Sequence, residues 1–289
     1  MSHFWALYQT NVEFALVGCV FALSIFVGLW SGVLSVAPIA FAAVSAFAIA
    51  RISTDHPTWS LYVLLIIGMV FGAVFAYLSS FIFLRLSSHY LALATIALVL
   101  ISRVFALNLT TITGGMNGVG LMRLISFPQL VFILVLLGVV FQRLRKSRFG
   151  LTLDALREQP EVTASLGVDV LKIQRVAFVL AGSLGGLAGV MQAQLLQYLT
   201  PDSFYVDLAF VTLASAVLGG AYHWFGPIVG SLLYAALPEL LRPYLGSSRH
   251  IANGVLLLII MLFLQRGVID PLRPLPFKSK KTESVAGNE

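Results

Sequence analysis

Long apolar stretches separated by short polar ones run through the whole chain. No Asp, Glu, Lys or Arg occurs in 14–50, 56–84, 86–102, 124–142, 176–201, 208–238 or 250–265. A transmembrane α-helix takes about 20 mostly apolar residues, with a range of roughly 17–25, so most of these windows hold one helix. The windows 14–50 and 208–238 are too long for one helix and too short for two generous ones, which predicts broken, short or re-entrant segments inside them. Such breaks are tolerated only where protein or a water-filled cavity satisfies the freed backbone groups. Within the windows, segments such as LYVLLIIGMVFGAVFAYL (61–78) and VLLLIIMLF (255–263) are continuous apolar runs. A membrane β-barrel would instead alternate apolar and polar residues over segments of roughly ten. The pattern predicts an all-α, polytopic membrane bundle.

Composition agrees. Of 289 residues, 59% are hydrophobic and 10% charged, against roughly 25% charged in an ordinary soluble domain. A globule so poor in charge could not cover its surface, and 21 Phe among Leu, Val and Ile runs exclude a disordered chain. The net charge of +6 raises nucleic acid as a partner, but its placement reads as topology. Arg143, Arg145, Lys146, Arg148, Arg157, Lys172 and Arg175 lie in 143–175, and Arg266, Arg273, Lys278, Lys280 and Lys281 in 266–289, together 12 of 18 basic residues. Short loops rich in Lys and Arg face the cytoplasm, so the 144–172 loop and the C-terminal tail are both assigned inside.

Working outward from these anchors, helices are expected near 60–83, 90–107, 127–143, 174–198, 207–219, 225–242 and 250–266, with 14–50 holding two spans broken around Gly28–Gly32. That makes about eight crossings, in a range of eight to ten, with the N-terminus outside. The stretches 51–59, 108–126 and 199–205 also fall outside, and the turn at Arg85 inside. One transmembrane domain over 1–270 is expected, followed by a disordered basic cytoplasmic tail over 271–289.

Few residues offer chemistry. The single cysteine, Cys19, excludes an internal disulfide and a cysteine metal cluster, and reads as a packing residue. The N-terminus lacks a basic region and a cleavage site, so insertion is expected to rely on the first helix. No G-x-x-x-x-G-K-[ST], H-E-x-x-H or G-x-S-x-G occurs, and the five histidines are scattered, so neither a metal nor another cofactor is implied. Ion-driven carriers place ionisable groups in mid-membrane. Here Glu13, Arg103, Asp207 and Glu239 all sit near expected span ends, and Glu239 pairs naturally with Arg242 on a helix surface, which reads as interfacial anchoring. Gly182, Gly185, Gly186 and Gly189 make one smooth helix face suited to close packing; a helix that slides during transport would look the same.

The loop 150–172, GLTLDALREQPEVTASLGVDVLK, is the most unusual polar feature. Pro160 suits the first position of a helix, Glu161 its positive end and Gly167 its C′ position. About two turns, PEVTASL, are predicted at the cytoplasmic face. Too short to be stable alone, this helix packs either on the protein's own helix ends or in a partner's groove.

In this loop and the following helix, LREQPEVTASLGVDVLKIQRVAFVLAGSLGGLAG resembles the membrane permease subunit of branched-chain amino-acid ABC importers, the LivM-like permeases. YLTPDSF (198–204), VLGG (217–220), FGPIVG (225–230), LPELLR (237–242) and LFLQRGVID (262–270) continue the likeness downstream. Upstream, SGVLSVAPIAF (31–41), LRLSSHYLALATIALVLISR (84–103) and TGGMNGVG (113–120) extend it to about 15–270. The resemblance implies an ABC importer permease fold with no enzymatic site and no cofactor. Its implied partners are a second related permease, two cytoplasmic ATPases and an extracytoplasmic solute-binding protein, in a bacterial inner membrane. It carries ATPase docking to Glu161, Ala164, Leu166 and Gly167, with Arg157 and Glu158 at the edge.

The implied cargo is a small amino acid, branched-chain type first, or an amide-like solute; a secondary carrier or passive channel is the alternative. Ser35, Pro38, Tyr90, Thr95, Gly219 and Gly220 are the candidates for lining the passage. Departures from the family pattern fall among them. Val36-Ala37-Pro38-Ile39-Ala40-Phe41 stands where Leu-Gly-His-Ala-Ala-Phe is frequent, and Pro38, without an N–H, should break or kink its segment. Leu100 stands where a mid-helix Glu is frequent, and Gly219-Gly220-Ala221-Tyr222 replaces Gly-Gly-x-Gly. These changes either alter what the passage admits or reflect drift.

Overall fold

A computed structural model of the chain describes residues 2–55, 59–121, 125–220 and 222–245. The span expected at 250–266, the tail 271–289 and the Glu239–Arg242 side-chain pair lie outside what it describes. In chain order the helices are α1 (Ser2–Trp30), α2 (Ala37–Asp55), α3 (Leu61–Phe83), α4 (Ser88–Asn108), α5 (Thr110–Thr113) and α6 (Phe127–Lys146). They continue with α7 (Arg148–Glu158), α8 (Pro160–Ser165), α9 (Val170–Leu196), α10 (Val206–Gly219) and α11 (Phe225–Leu245). Two short strands, β1 (Val119–Gly120) and β2 (Tyr198–Leu199), pair antiparallel. Among the described residues seven helices are long and apolar enough to cross a membrane, and Phe225–Ala236 is a shorter apolar one. The chain is a polytopic helical membrane protein, as the apolar windows require.

The long window 14–50 is broken where its only strained glycine falls. α1 runs to Trp30, Gly32 adopts a left-handed φ of +75°, and helix resumes only at Ala37. Ser35 Oγ accepts from Ala37 N–H at 3.2 Å and opens the new helix. Pro38 is therefore not a kink. It occupies the first turn of α2, where a missing N–H costs nothing; the break lies just before it, at 31–36.

α9 is the central post, packed by α1, α2 and α3. Its glycines explain how three helices approach one another so closely. A Cβ on Gly182 or Gly186 would overlap α3 at Gly72 and Ala76 or at Gly68, and one on Gly185 or Gly189 would overlap α2 at Pro38 or Ala42. Small residues at such crossings let backbones touch, which is how helices associate where lipid removes the hydrophobic drive. Cys19, fully buried, donates a long hydrogen bond to the Ile228 carbonyl at 3.6 Å, as a packing residue should. Glu13, near the start of its span, is 1% exposed, and Gln9 donates to it at 3.1 Å.

The polar segments gather into two ends. At one, β1 pairs with β2, and Leu121 N–H donates to the Gln197 carbonyl at 2.8 Å. Arg103 Nε meets Asp202 Oδ1 at 2.6 Å, its guanidinium 4.9 Å from the Tyr205 ring. This joins 108–121 to 197–205, two stretches expected on one side. The other end collects the 31–36 break, α7, α8 and the turn between α10 and α11.

Candidate functional site

α8 forms where its punctuation predicts. Pro160 is in the first turn, Glu161 beside the positive end and Gly167 just past the end with φ +85°, its N–H donating to Ala164 O at 3.0 Å. A Cβ on Gly167 would meet nothing within 4 Å, so backbone conformation alone demands glycine there. Thr163 turns inward and is buried. Glu161 and Ala164 face out, and Val162 and Leu166, 51% and 77% exposed, make an apolar pair at i, i+4 on the open side. Asp169 then caps α9, accepting Lys172 N–H at 3.1 Å and holding its ammonium at 2.9 Å; these contacts keep its carboxyl below the usual carboxylate range.

The support for α8 was not foreseen. α7 is an eleven-residue helix whose Gly150, Leu153 and Leu156 are buried. Its start was signalled by Ser147, whose Oγ accepts from Gly150 N–H at 3.3 Å, and its inner face by that three-residue spacing. From this helix two charged side chains reach the ends of the membrane helices. Trp30 Nε1, at the end of α1, donates to Asp154 Oδ1 at 2.7 Å. The same oxygen lies 3.9 Å from Arg157 Nη2, and the Arg157 guanidinium sits 4.4 Å from the Tyr222 ring in the α10–α11 turn. Gly32 packs on the same helix, where a Cβ would lie 3.5 Å from the Leu156 carbonyl. Thus α7 touches both broken regions of the bundle.

The expected docking set is therefore divided. Glu158, Glu161, Ala164, Leu166 and Gly167 face outward, while Arg157, only 17% exposed in its side chain, points inward as a brace. Trp30, Asp154 and Tyr222 were missed: no spacing rule pairs residues 124 positions apart.

The passage candidates are brought together only in part. Thr95 on α4, fully buried, accepts the Val36 N–H at 3.3 Å, satisfying backbone left free by the break beside Ser35 and Pro38. Tyr90 is 69% exposed on the outside of α4. Gly219 and Gly220 are buried where α10 turns into α11; a side chain on Gly219 would overlap Gly226, and Gly220 has φ +103°. Small residues here let α10 and α11 cross closely. Among the described residues no three His, Cys, Asp or Glu side chains gather to hold a metal ion.

The sequence model of the family described as branched-chain amino acid transport system / permease component matches residues 12–264. The chain belongs to that family. It is 29% identical to the high-affinity branched-chain amino acid transport system permease protein LivM of Salmonella typhimurium, over 87% of this chain and 67% of the relative. It is 28% identical to the probable branched-chain amino acid transport permease protein LivH of Methanocaldococcus jannaschii, over 71% of each. It is 30% identical to the nucleoside ABC transporter permease protein NupC of Lactococcus lactis, over 40% of this chain and 36% of that protein. No solved structure matches the chain. The chain is a multi-pass membrane transport subunit of a permease family, not an enzyme.

Proposed function

We propose that this chain is the permease subunit of an importer in a bacterial inner membrane, energised by two separate cytoplasmic ATPases that dock on α8. The observation that carries the reading is an exposed, six-residue helix bearing an apolar pair and braced through α7 to both breaks in the bundle. A helix this short has no stability of its own, and exposed apolar residues beside Glu158 and Glu161 suit a protein groove. The basic residues around it support a cytoplasmic side for this end by the positive-inside rule. The opposite end, with β1, β2 and the Arg103–Asp202 pair, then meets an external solute-binding protein. Likeness to both LivM and LivH supports pairing with a second, related permease.

The cargo proposed is a small amino acid of branched-chain type, or an amide-like solute. The NupC likeness makes nucleosides the comparison to run beside leucine, isoleucine and valine. The test is reconstitution of the full chain with its co-purifying subunits. ATP-dependent uptake of a branched-chain amino acid is expected; uptake by the chain alone on a sodium or proton gradient would return the reading to a secondary carrier. Glu161→Lys and Gly167→Val are expected to abolish most ATP-driven uptake with expression intact. Gly167→Asn should be largely tolerated, because asparagine enters the left-handed region more readily than a β-branched residue. Wild-type uptake by both Glu161→Lys and Gly167→Val would remove α8 from the coupling role.

A further inference from the structure

The end of α6 carries a second feature that neither the passage nor α8 uses. An apolar groove of about 520 Å³ runs along α6, with Leu134, Val135 and Val139 on one wall and Trp224, Phe225 and Ile228 on the other. Val135, Val139 and Phe225 are 60%, 51% and 46% exposed, so the groove opens sideways from the bundle. Its floor is Gly138, where a Cβ would stand 3.4 Å from the Trp224 ring. At the mouth Trp224 Nε1 donates to Gln142 Oε1 at 3.0 Å, which holds the indole across the groove's polar end.

Beyond that mouth the chain turns cationic at once. Arg143 lines the groove itself, and Arg145, Lys146 and Arg148 follow within one and a half turns, with no carboxylate anywhere in 124–153. Asp154, the next acid along, is already engaged by Trp30 and Arg157. Burial, with a smaller contribution from the Arg145 charge, keeps the imidazole of His223, one residue before Trp224, below its usual pKa. The positive-inside rule accounts for cations at this end. It does not account for an open apolar slot that stops at them.

The dimensions identify the occupant. From Leu134 to Arg143 the helix rises about 13 Å, close to one leaflet of a hydrocarbon core about 30 Å thick. A partner helix would use a face running the full depth of the membrane and would gain nothing from a cationic rim. A lipid needs one leaflet of apolar wall and a charge at the headgroup, and basic sites between membrane helices bind anionic headgroups on this principle.

We propose that this groove is a specific site for an anionic phospholipid, one acyl chain lying between α6 and Trp224–Ile228 and the phosphate held by Arg143 and Arg145. The site requires only that the chain is embedded in a membrane, and stands apart from the cargo and ATPase readings.

Trp224 is its reporter. The full chain is placed in phosphatidylcholine nanodiscs containing graded amounts of bromine-labelled phosphatidylglycerol or bromine-labelled phosphatidylcholine. The Trp224 signal is the fluorescence difference between wild type and Trp224→Phe. Half-quenching is expected at a mole fraction at least about tenfold lower for the glycerol headgroup, since each of the two cations contributes roughly a fivefold preference near the surface. Arg143→Gln with Arg145→Gln should erase that preference, and Arg143→Lys with Arg145→Lys should restore it. Equal quenching by both headgroups would mean ordinary boundary lipid, and a preference that survives loss of both charges would mean the phosphate sits elsewhere. An unquenched Trp224 would mean protein covers the groove. Each of these three results overturns the proposal.

Discussion

Asp154 joins the first membrane helix to the proposed docking end with a single oxygen. That oxygen accepts the Trp30 indole N–H at 2.7 Å and faces Arg157 at 3.9 Å, while Arg157 covers Tyr222. Its side chain is about one-third exposed, so solvent weakens the charge contribution, but a hydrogen bond to a charged acceptor is still worth roughly 1.5–3 kcal/mol. If α8 moves with an ATPase, this contact transmits the movement to the break at 31–36. Asp154→Ala is expected to cut solute transported per ATP hydrolysed by about tenfold. Trp30→Phe keeps the ring stacked near Phe26, 5.6 Å away, and removes only the donor, so it should show the same defect. The double variant should be no worse than either single one, because partners in one contact are not additive. Additive losses would show that Trp30 and Asp154 act separately.

At the scale of elements, what was legible followed from local rules. The Pro160–Gly167 punctuation produced α8, charge-free windows produced the long helices, and the spacing of Gly182, Gly185, Gly186 and Gly189 produced a helix seam. α7 was passed over because its buried Gly150, Leu153 and Leu156 look, one by one, like loop residues among charges. The effect of Pro38 was misplaced because its rule depends on position: fatal inside a helix, harmless in a first turn. The seam holds α9 in close backbone contact with α2 on one side and α3 on the other. Gly186→Leu should therefore force α9 from α3 and lower the thermal midpoint of the solubilised protein by about 5 °C or more, the scale of a 1–3 kcal/mol overpacking cost. Gly120→Ala, exposed and 4.0 Å from the nearest atom it would meet, should leave the midpoint unchanged. Equal midpoints for both variants would show that the seam is loose.

For the whole molecule, the two ends differ in construction in a way that fits two different partners. One end is tied internally: strand pairing, the Arg103–Asp202 pair and the bond between Tyr198 and the Asn117 carbonyl leave a formed surface. The other ends in a short helix whose apolar side is open. Charge distribution alone indicated which segments share an end, since it acts over whole loops. It could not indicate which side chains meet across them, because those contacts depend on the folded path of α1, α7 and the α10–α11 turn. The assignment of ends to membrane sides has a direct test, helped by the single cysteine being buried. In a Cys19→Ser background, Leu166→Cys and Met116→Cys place thiols at positions 77% and 85% exposed, one at each end. A membrane-impermeant maleimide applied to intact cells with a permeable outer envelope should label Met116→Cys and spare Leu166→Cys; inside-out vesicles should reverse the pattern. The opposite labelling would put α8 outside, beyond reach of any cytoplasmic ATPase. Labelling of both from one side would show that the 108–121 segment and α8 do not lie across the membrane from each other.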